Sequence, residues 1–129
     1  MDLGQQGYSE AQGRLFYQEV VEHVRALPGV RSASLSVTVP LAGGAWRTGV
    51  KLEGLPSDKS EIPSDYNIVG PGYFQTLGIP LVSGRDFSPQ DDASTPGVAI
   101  INETFARQFF PNENPLGKRL ATAGDRKVM

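Results

Sequence analysis

A chain of 129 residues has the length of one ordinary domain, able to bury roughly two thirds of the surface its unfolded form exposes. At 39% hydrophobic and 20% charged residues it is globular rather than disordered, and a net charge of −2 builds no positive field for nucleic acid or an anionic membrane surface. With no cysteine there is no disulfide frame, thiolate nucleophile or cysteine-based zinc site, while 15 glycines and 10 prolines imply many turns and short elements.

Ser9 and Gln12 have capping-box spacing, so a helix is predicted to start near Ser9. Phe16, Val20, Val24 and Leu27 then recur as one apolar stripe, and Pro28-Gly29 stops it. From Ala33 the period changes to two: Ala33, Leu35, Val37 and Val39 face one way, and Ser34, Ser36 and Thr38 the other. This predicts a half-buried strand with the first helix packed on its apolar face. After a loop carrying Gly43-Gly44, Trp46, Thr48, Val50 and Leu52 alternate with Arg47, Gly49, Lys51 and Glu53 in a second one-faced strand, which places Trp46 in the core, its other reading being an exposed interaction anchor beside Gly43-Gly44. Residues 54–63 read as a polar connector. Tyr66 and Ile68, alternating with Asp65 and Asn67, predict a third strand. One-faced alternation in three strands argues for an α+β fold with an antiparallel or mixed sheet and packed helices.

The stretch from Asn67 to Leu120 is cut at near-regular intervals by glycine and proline. Pro71-Gly72 turns the chain, Tyr73, Phe74 and Leu77 form one face of a short helical turn, and Gly78 stops it. Ile79 to Val82 is a short extended piece, Gly84-Arg85-Asp86-Phe87 a charged bend with one buried ring, and residues 88–92 a polar loop in which Asp91 and Asp92 favour a short helix start. The β-branched run from Val98 to Ile101 predicts a strand covered on both faces. Asn102 is placed as an N-cap with Glu103 in the first turn, Phe105 and Phe109 lie one helical turn apart, and Pro111 ends the helix.

Little in the chain carries chemistry. His23, the only histidine, lies beside the stripe of the first helix with no partner for a triad or metal site, and reads as a surface residue. Counted from Asp86 as an EF-hand loop, the positions that need glycine and a bidentate glutamate hold Asp91 and Gly97. Neither GxGxxG nor a phosphate loop is present, and no serine sits in a GxSxG elbow. Asn102-Glu103-Thr104 matches a glycosylation sequon, but Asn102 already serves as a cap. No catalytic, cofactor-binding or metal-binding residue is assigned. No run approaches the ~18 apolar residues that span a bilayer, and the first ten residues lack a basic, apolar signal, so the chain as given is expected to be soluble.

The series GYFxTLGIPLxxGRDF at 72–87 and VAIINETxAxxFFPxxNPLGKRL at 98–120 resembles the extracytoplasmic core domain of MacB- and FtsX-like permeases, and within them the large bacterial permeases of unknown cargo. Tyr8 to Leu41, a helix ending in LPGV followed by ASLSxTxPL, resembles the opening of the same domain. The resemblance implies a porter-like α/β subdomain from residues 1–42 with 115–129, and an inserted β-rich subdomain at 43–114. It also implies a non-catalytic, periplasmic part of an inner-membrane ABC-type permease that transmits conformational change or docks cargo and partners. Expected partners are the permease's own membrane helices, a periplasmic adaptor protein and a second permease subunit. ATP is handled elsewhere in such proteins. The residues expected to matter are structural: Tyr73, Phe74, Leu77, Gly78, Gly84, Arg85, Phe87, Asn102, Phe105, Phe109, Pro115, Leu116 and Gly117. A sheet edge left open near the C-terminus leads to the expectation that the isolated fragment dimerises. The alternative from another class is a stand-alone module that captures a small lipid or peptide between its parts, and an enzyme is the third and weakest reading.

Overall fold

The computed structural model describes residues 7, 9–44, 46–54, 61–122 and 127–128. Its elements in chain order are α1 (Glu10–Ala26), β1 (Trp46–Leu52), β2 (Ile62–Tyr66), α2 (Tyr73–Leu77), α3 (Glu103–Phe109), β3 (Leu120–Thr122) and β4 (Lys127–Val128). The four strands make one sheet in the order β2-β1-β3-β4, every pairing antiparallel, and with the three helices this is the α+β class that the strand patterns predict.

β1 organises the sheet. Val50 pairs with Ile62 on one side and Thr122 on the other, and Leu52 lies opposite Leu120. Val50 and Leu52 are 6% and 7% exposed, and they are the only buried apolar side chains among the described residues. Lys51 between them points to solvent and pairs with Glu61 at 3.4 Å, while Arg47 pairs with Asp65 across the same two strands at 2.8 Å. Ion pairs on the wet face and aliphatics on the dry one are what period-two alternation implies.

α1 forms as its caps dictate. The Ser9 hydroxyl accepts the Gln12 N–H at 3.3 Å, and the Gln12 side chain accepts the Ser9 N–H at 2.8 Å, satisfying two otherwise orphaned donors. Phe16 is half-buried, but Val20, Val24 and Leu27 are exposed, so the expected stripe is covered only at its N-terminal end.

Four expectations need correction. Residues 33–39 are not a strand of the sheet: among the described residues their β-pairing is the isolated bridge of Ser36 to Val69. Their polarity is inverted, with Ser34, Ser36 and Thr38 half-buried while Leu35, Val37 and Val39 are 37%, 55% and 63% exposed, and α1 does not cover them. The hydroxyl face turns inward because it finds carbonyl and amide partners there, described below. The third strand lies at 62–66, displaced toward the N-terminus, because its ladder with β1 runs from Trp46↔Tyr66 to Val50↔Ile62 and stops where β1 begins. Trp46 is 56% exposed instead of core: β3 reaches only as far as Val50, so that end of β1 is uncovered, and the indole meets Tyr66 edge-on at 6.3 Å. Residues 98–101 lie outside the sheet, since β1 is already flanked on both edges, and Val98, Ile100 and Ile101 are half-buried in the approach to α3.

Replacing Leu52 by Ala is expected to cost about 2 kcal/mol in urea unfolding, the low end for a buried leucine in so small a core. Leu15→Ala, at an exposed position of α1, is expected to stay within about 0.5 kcal/mol.

Candidate functional site

The stretch from 67 to 120 is built from turns whose geometry the sequence imposes. α2 is one short helix between two glycines, Gly72 (φ 78°) and Gly78 (φ 69°), both left-handed. At its C-terminus the Gly78 N–H donates to the Gln75 carbonyl at 3.1 Å and the Ile79 N–H to the Phe74 carbonyl at 2.8 Å, the paired bonds of a Schellman ending. This fixes where α2 points its rings. Tyr73 and Phe74 are half-buried, 5.5 Å apart and nearly perpendicular, and Phe74 lies 6.4 Å from Phe87. Leu77, on the next turn, is exposed.

The bend that carries Phe87 is held twice. Gly84 (φ 84°) lies against the 115–118 turn, where an added Cβ would come within 3.0 Å of Leu116 Cδ2. In that turn the Lys118 N–H donates to the Pro115 carbonyl at 3.2 Å, and Gly117 (φ 78°) supplies the left-handed third position. Asn114 Oδ1 accepts the Leu116 N–H at 3.0 Å, and Lys118 pairs with Glu113 at 2.7 Å. Pro115 is half-buried and Leu116 exposed.

The second hold is Arg85. Its guanidinium takes both oxygens of Asp91, at 2.7 and 2.6 Å, and donates to the Asp86 carbonyl at 3.0 Å. Asp91 also accepts the Ser88 N–H at 2.8 Å, and its side chain is only 13% exposed. The hydrogen bonds from Arg85, then the Ser88 amide, hold the Asp91 carboxyl well below the usual carboxylate range. Asp92 is lowered chiefly by the Ser94 hydroxyl, and Glu113 by Lys118. No helix starts at Asp91 and Asp92: their oxygens close successive polar turns instead.

α3 starts as its sequence requires, with Asn102 Oδ1 accepting the Phe105 N–H at 2.8 Å, and Glu103 pairing with Arg107 at 3.2 Å along its first turn. Phe105 and Phe109 are half-buried with ring centroids 4.7 Å apart.

Among the residues singled out from sequence, the structure therefore brings together Tyr73 with Phe74, Phe74 with Phe87, Gly84 with Leu116, and Phe105 with Phe109. Sequence reading missed Asp91 as the partner of Arg85 and Asn67 as a bridging side chain. Neither has a local signature, since each meets its partner across loop spacings that follow no period. Asn67 Oδ1 accepts the Thr38 N–H at 3.0 Å, and its Nδ2 donates to the Thr38 carbonyl and to Ser36 Oγ, each at 2.9 Å.

Chemically, these groups are occupied in holding turns. His23 sits on the exposed surface of α1, its Nδ1 2.7 Å from the Glu19 carbonyl. Among the described residues no three His, Cys, Asp or Glu side chains cluster as a metal site would require, and no helix is long and apolar enough to cross a membrane. A groove of about 620 Å³ lies beside the Arg85–Asp91 pair, bordered by Asp86, Gln90, Thr95 and Val98.

A small antiparallel sheet, a short α2 closed by glycine caps, an α3 capped by Asn102 and a charged clasp on the bend between them define an α+β structural module. The chain belongs to the MacB-like periplasmic core domain family, whose family model matches residues 3–127. It is similar to the macrolide export ATP-binding/permease protein MacB of Marinobacter nauticus, 51% identical over 41 residues, and to the protein of the same name from Mannheimia succiniciproducens, 34% identical over 50 residues. Those stretches cover 32% and 39% of this chain but only 6% and 8% of the relatives, so the match spans a small part of each. No solved structure matches the chain.

Two outcomes follow from the clasp and the caps. Because the Asp91 carboxyl is depressed in the folded chain, the stability it confers is complete above the unfolded value of about 3.9 and is lost as pH falls below it. Thermal melts monitored by circular dichroism from about pH 7 down to about pH 2 should show a shallower loss of stability in Asp91→Asn, which has no carboxylate to protonate, than in the parent. Gly78→Ala, which forces a left-handed conformation on a residue with a Cβ, is expected to cost about 1 kcal/mol in urea unfolding.

Proposed function

We propose that this chain is a non-catalytic extracytoplasmic domain of an ABC-type membrane permease, one that transmits conformational change or docks periplasmic partners and cargo during export. The observation that carries the reading is the family match over residues 3–127. The site supports it: Tyr73, Phe74, Leu77, Gly78, Gly84, Arg85, Phe87, Asn102, Phe105, Phe109, Pro115, Leu116 and Gly117 are read as parts that keep a body rigid, and a body that passes motion from one end to the other must not yield between them. The two-part division, 1–42 with 115–129 and 43–114, belongs to the same proposal. In it the β1–β3 ladder, Leu52 to Leu120, is the seam that joins the inserted part to the part made by the chain ends.

In this reading the domain works in the periplasm, and its partners are the permease's own membrane helices, a second permease subunit and an adaptor protein. Macrolides, the cargo in the names of the two relatives, are the first compounds to test. The alternative, a stand-alone lipid- or peptide-capturing module, would need a deep apolar cleft. The groove beside Arg85 and Asp91 is open and bordered by charges that already pair with each other.

The test is a drug-susceptibility assay in a macrolide-sensitive bacterium that expresses the protein in its full reading frame. Expression is expected to raise macrolide tolerance. Phe74→Ala with Phe87→Ala, which loosens the ring pair, is expected to abolish that gain at equal membrane abundance. A full frame without membrane-spanning helices would overturn the permease reading, and unchanged tolerance with the double variant would overturn the rigid-body role.

A further inference from the structure

We propose that residues 31–39 form a hinged strap, latched by the Asn67 side chain, that opens as one unit while the β1-centred sheet stays closed. The inference does not rest on the transport reading; it concerns how this chain changes shape.

The strap is bounded by turns on both sides. Before it, Pro28-Gly29 leaves α1 with Gly29 at φ 84°. After it, the chain passes through Leu41 at φ 66°, Gly43 at φ 79° and Gly44 at φ 98°. Left-handed turns at each end of a segment are places where a large backbone rotation is absorbed without disturbing the neighbouring elements.

Between those turns the attachment is unusual in kind. Two main-chain bonds, Val37 N–H to the Ile68 carbonyl and Gly70 N–H to the Leu35 carbonyl, both 2.9 Å, flank the Ser36–Val69 bridge. At the next position the ladder passes to a side chain. The Asn67 amide pairs with both the N–H and the carbonyl of Thr38, as a peptide group of a neighbouring strand would, and also donates to Ser36 Oγ. Toward the other end Ser34 Oγ reaches the Gly70 and Pro71 carbonyls at 3.2 and 3.1 Å, and Arg25 of α1 donates to the Ala33 carbonyl at 3.0 and 2.8 Å. These contacts are polar and mostly exposed to water, which competes for each of them.

Apolar burial does little to hold the strap down, because Leu35, Val37 and Val39 face outward. Opening therefore loses hydrogen bonds that water replaces, and almost no dry contact. One group gains by it: Thr38 Oγ1 is buried without a hydrogen-bond partner among the described residues. The sheet differs on both counts, since Val50 is paired on both edges and buried. Few buried contacts, exposed bonds and hinges at both ends are the marks of a unit that opens locally below the global unfolding free energy.

Native-state hydrogen exchange of the protein, resolved by residue, tests this. The amides of Val37, Thr38 and Gly70 are expected to exchange at least about tenfold faster than those of Val50 and Lys51, which lie within the β1 ladders. Asn67→Ala should accelerate Val37, Thr38 and Gly70 together by about another tenfold while leaving Val50 and Lys51 unchanged. Ser34→Ala, at the far end of the strap, should accelerate the same three amides. Equal exchange in strap and sheet in the parent would overturn the proposal. So would variants that speed every amide alike, or a Ser34→Ala effect confined to the neighbourhood of residue 34.

Discussion

The constraint on which this structure depends is how little of it is dry. Val50 and Leu52 supply the buried aliphatic surface of the described residues, and they can do so only because β1 is flanked by β2 at Val50 and by β3 from Val50 to Leu52. Hydrophobic burial scales with area removed from water, so so small an area leaves a narrow stabilising margin against the entropy of ordering the chain. Much of the remaining order must be local, and the structure bears this out in its caps, turns and clasps.

Those local devices share one logic. A backbone that does not enter a sheet or a long helix carries N–H and C=O groups that need partners, and short polar side chains provide them where the ladder cannot. Asn102 caps α3, Asn114 closes the turn before Leu116, Asp92 closes the turn at Ser94, and Asn67 stands in for a missing strand neighbour at Thr38. Arg85 does the same at longer range, tying the bend that carries Phe87 to Asp91 and so fixing that ring against Phe74. The Phe74–Phe87 and Phe105–Phe109 pairs are placed by this framework, since Phe74 follows the Gly72 cap, Phe87 the Arg85 clasp and Phe105 the Asn102 cap.

Membership in the MacB-like periplasmic core domain family gives these features a setting. The outward row of Leu35, Val37 and Val39 and the open pair Trp46 and Tyr66 leave apolar side chains on the chain's surface. Within the chain, β1 is paired on both edges at Val50, whereas residues 33–39 are held by polar contacts, the Asn67 amide among them.

The sequence by itself determined what depends on neighbours close along the chain: the Ser9 capping box, the α2 stop at Gly78, the Asn102 cap with Phe105 and Phe109 one turn apart, the buried phase of Val50 and Leu52, and the family. Tertiary structure alone decided what depends on which surface arrives to cover a residue. A period of two states that Leu35 and Ser36 face opposite ways but not which side is dry, and here the hydroxyl side won because carbonyls and the Asn67 amide met it. The same period placed Trp46 with Val50, yet β3 is too short to reach it. The β-branched run at 98–101 has the composition of a central strand but found no free sheet edge beside β1. Asp91 looked like one more loop carboxylate until the fold of the bend brought Arg85 to it, because a contact across a loop is set by the path of the chain and leaves no spacing to read.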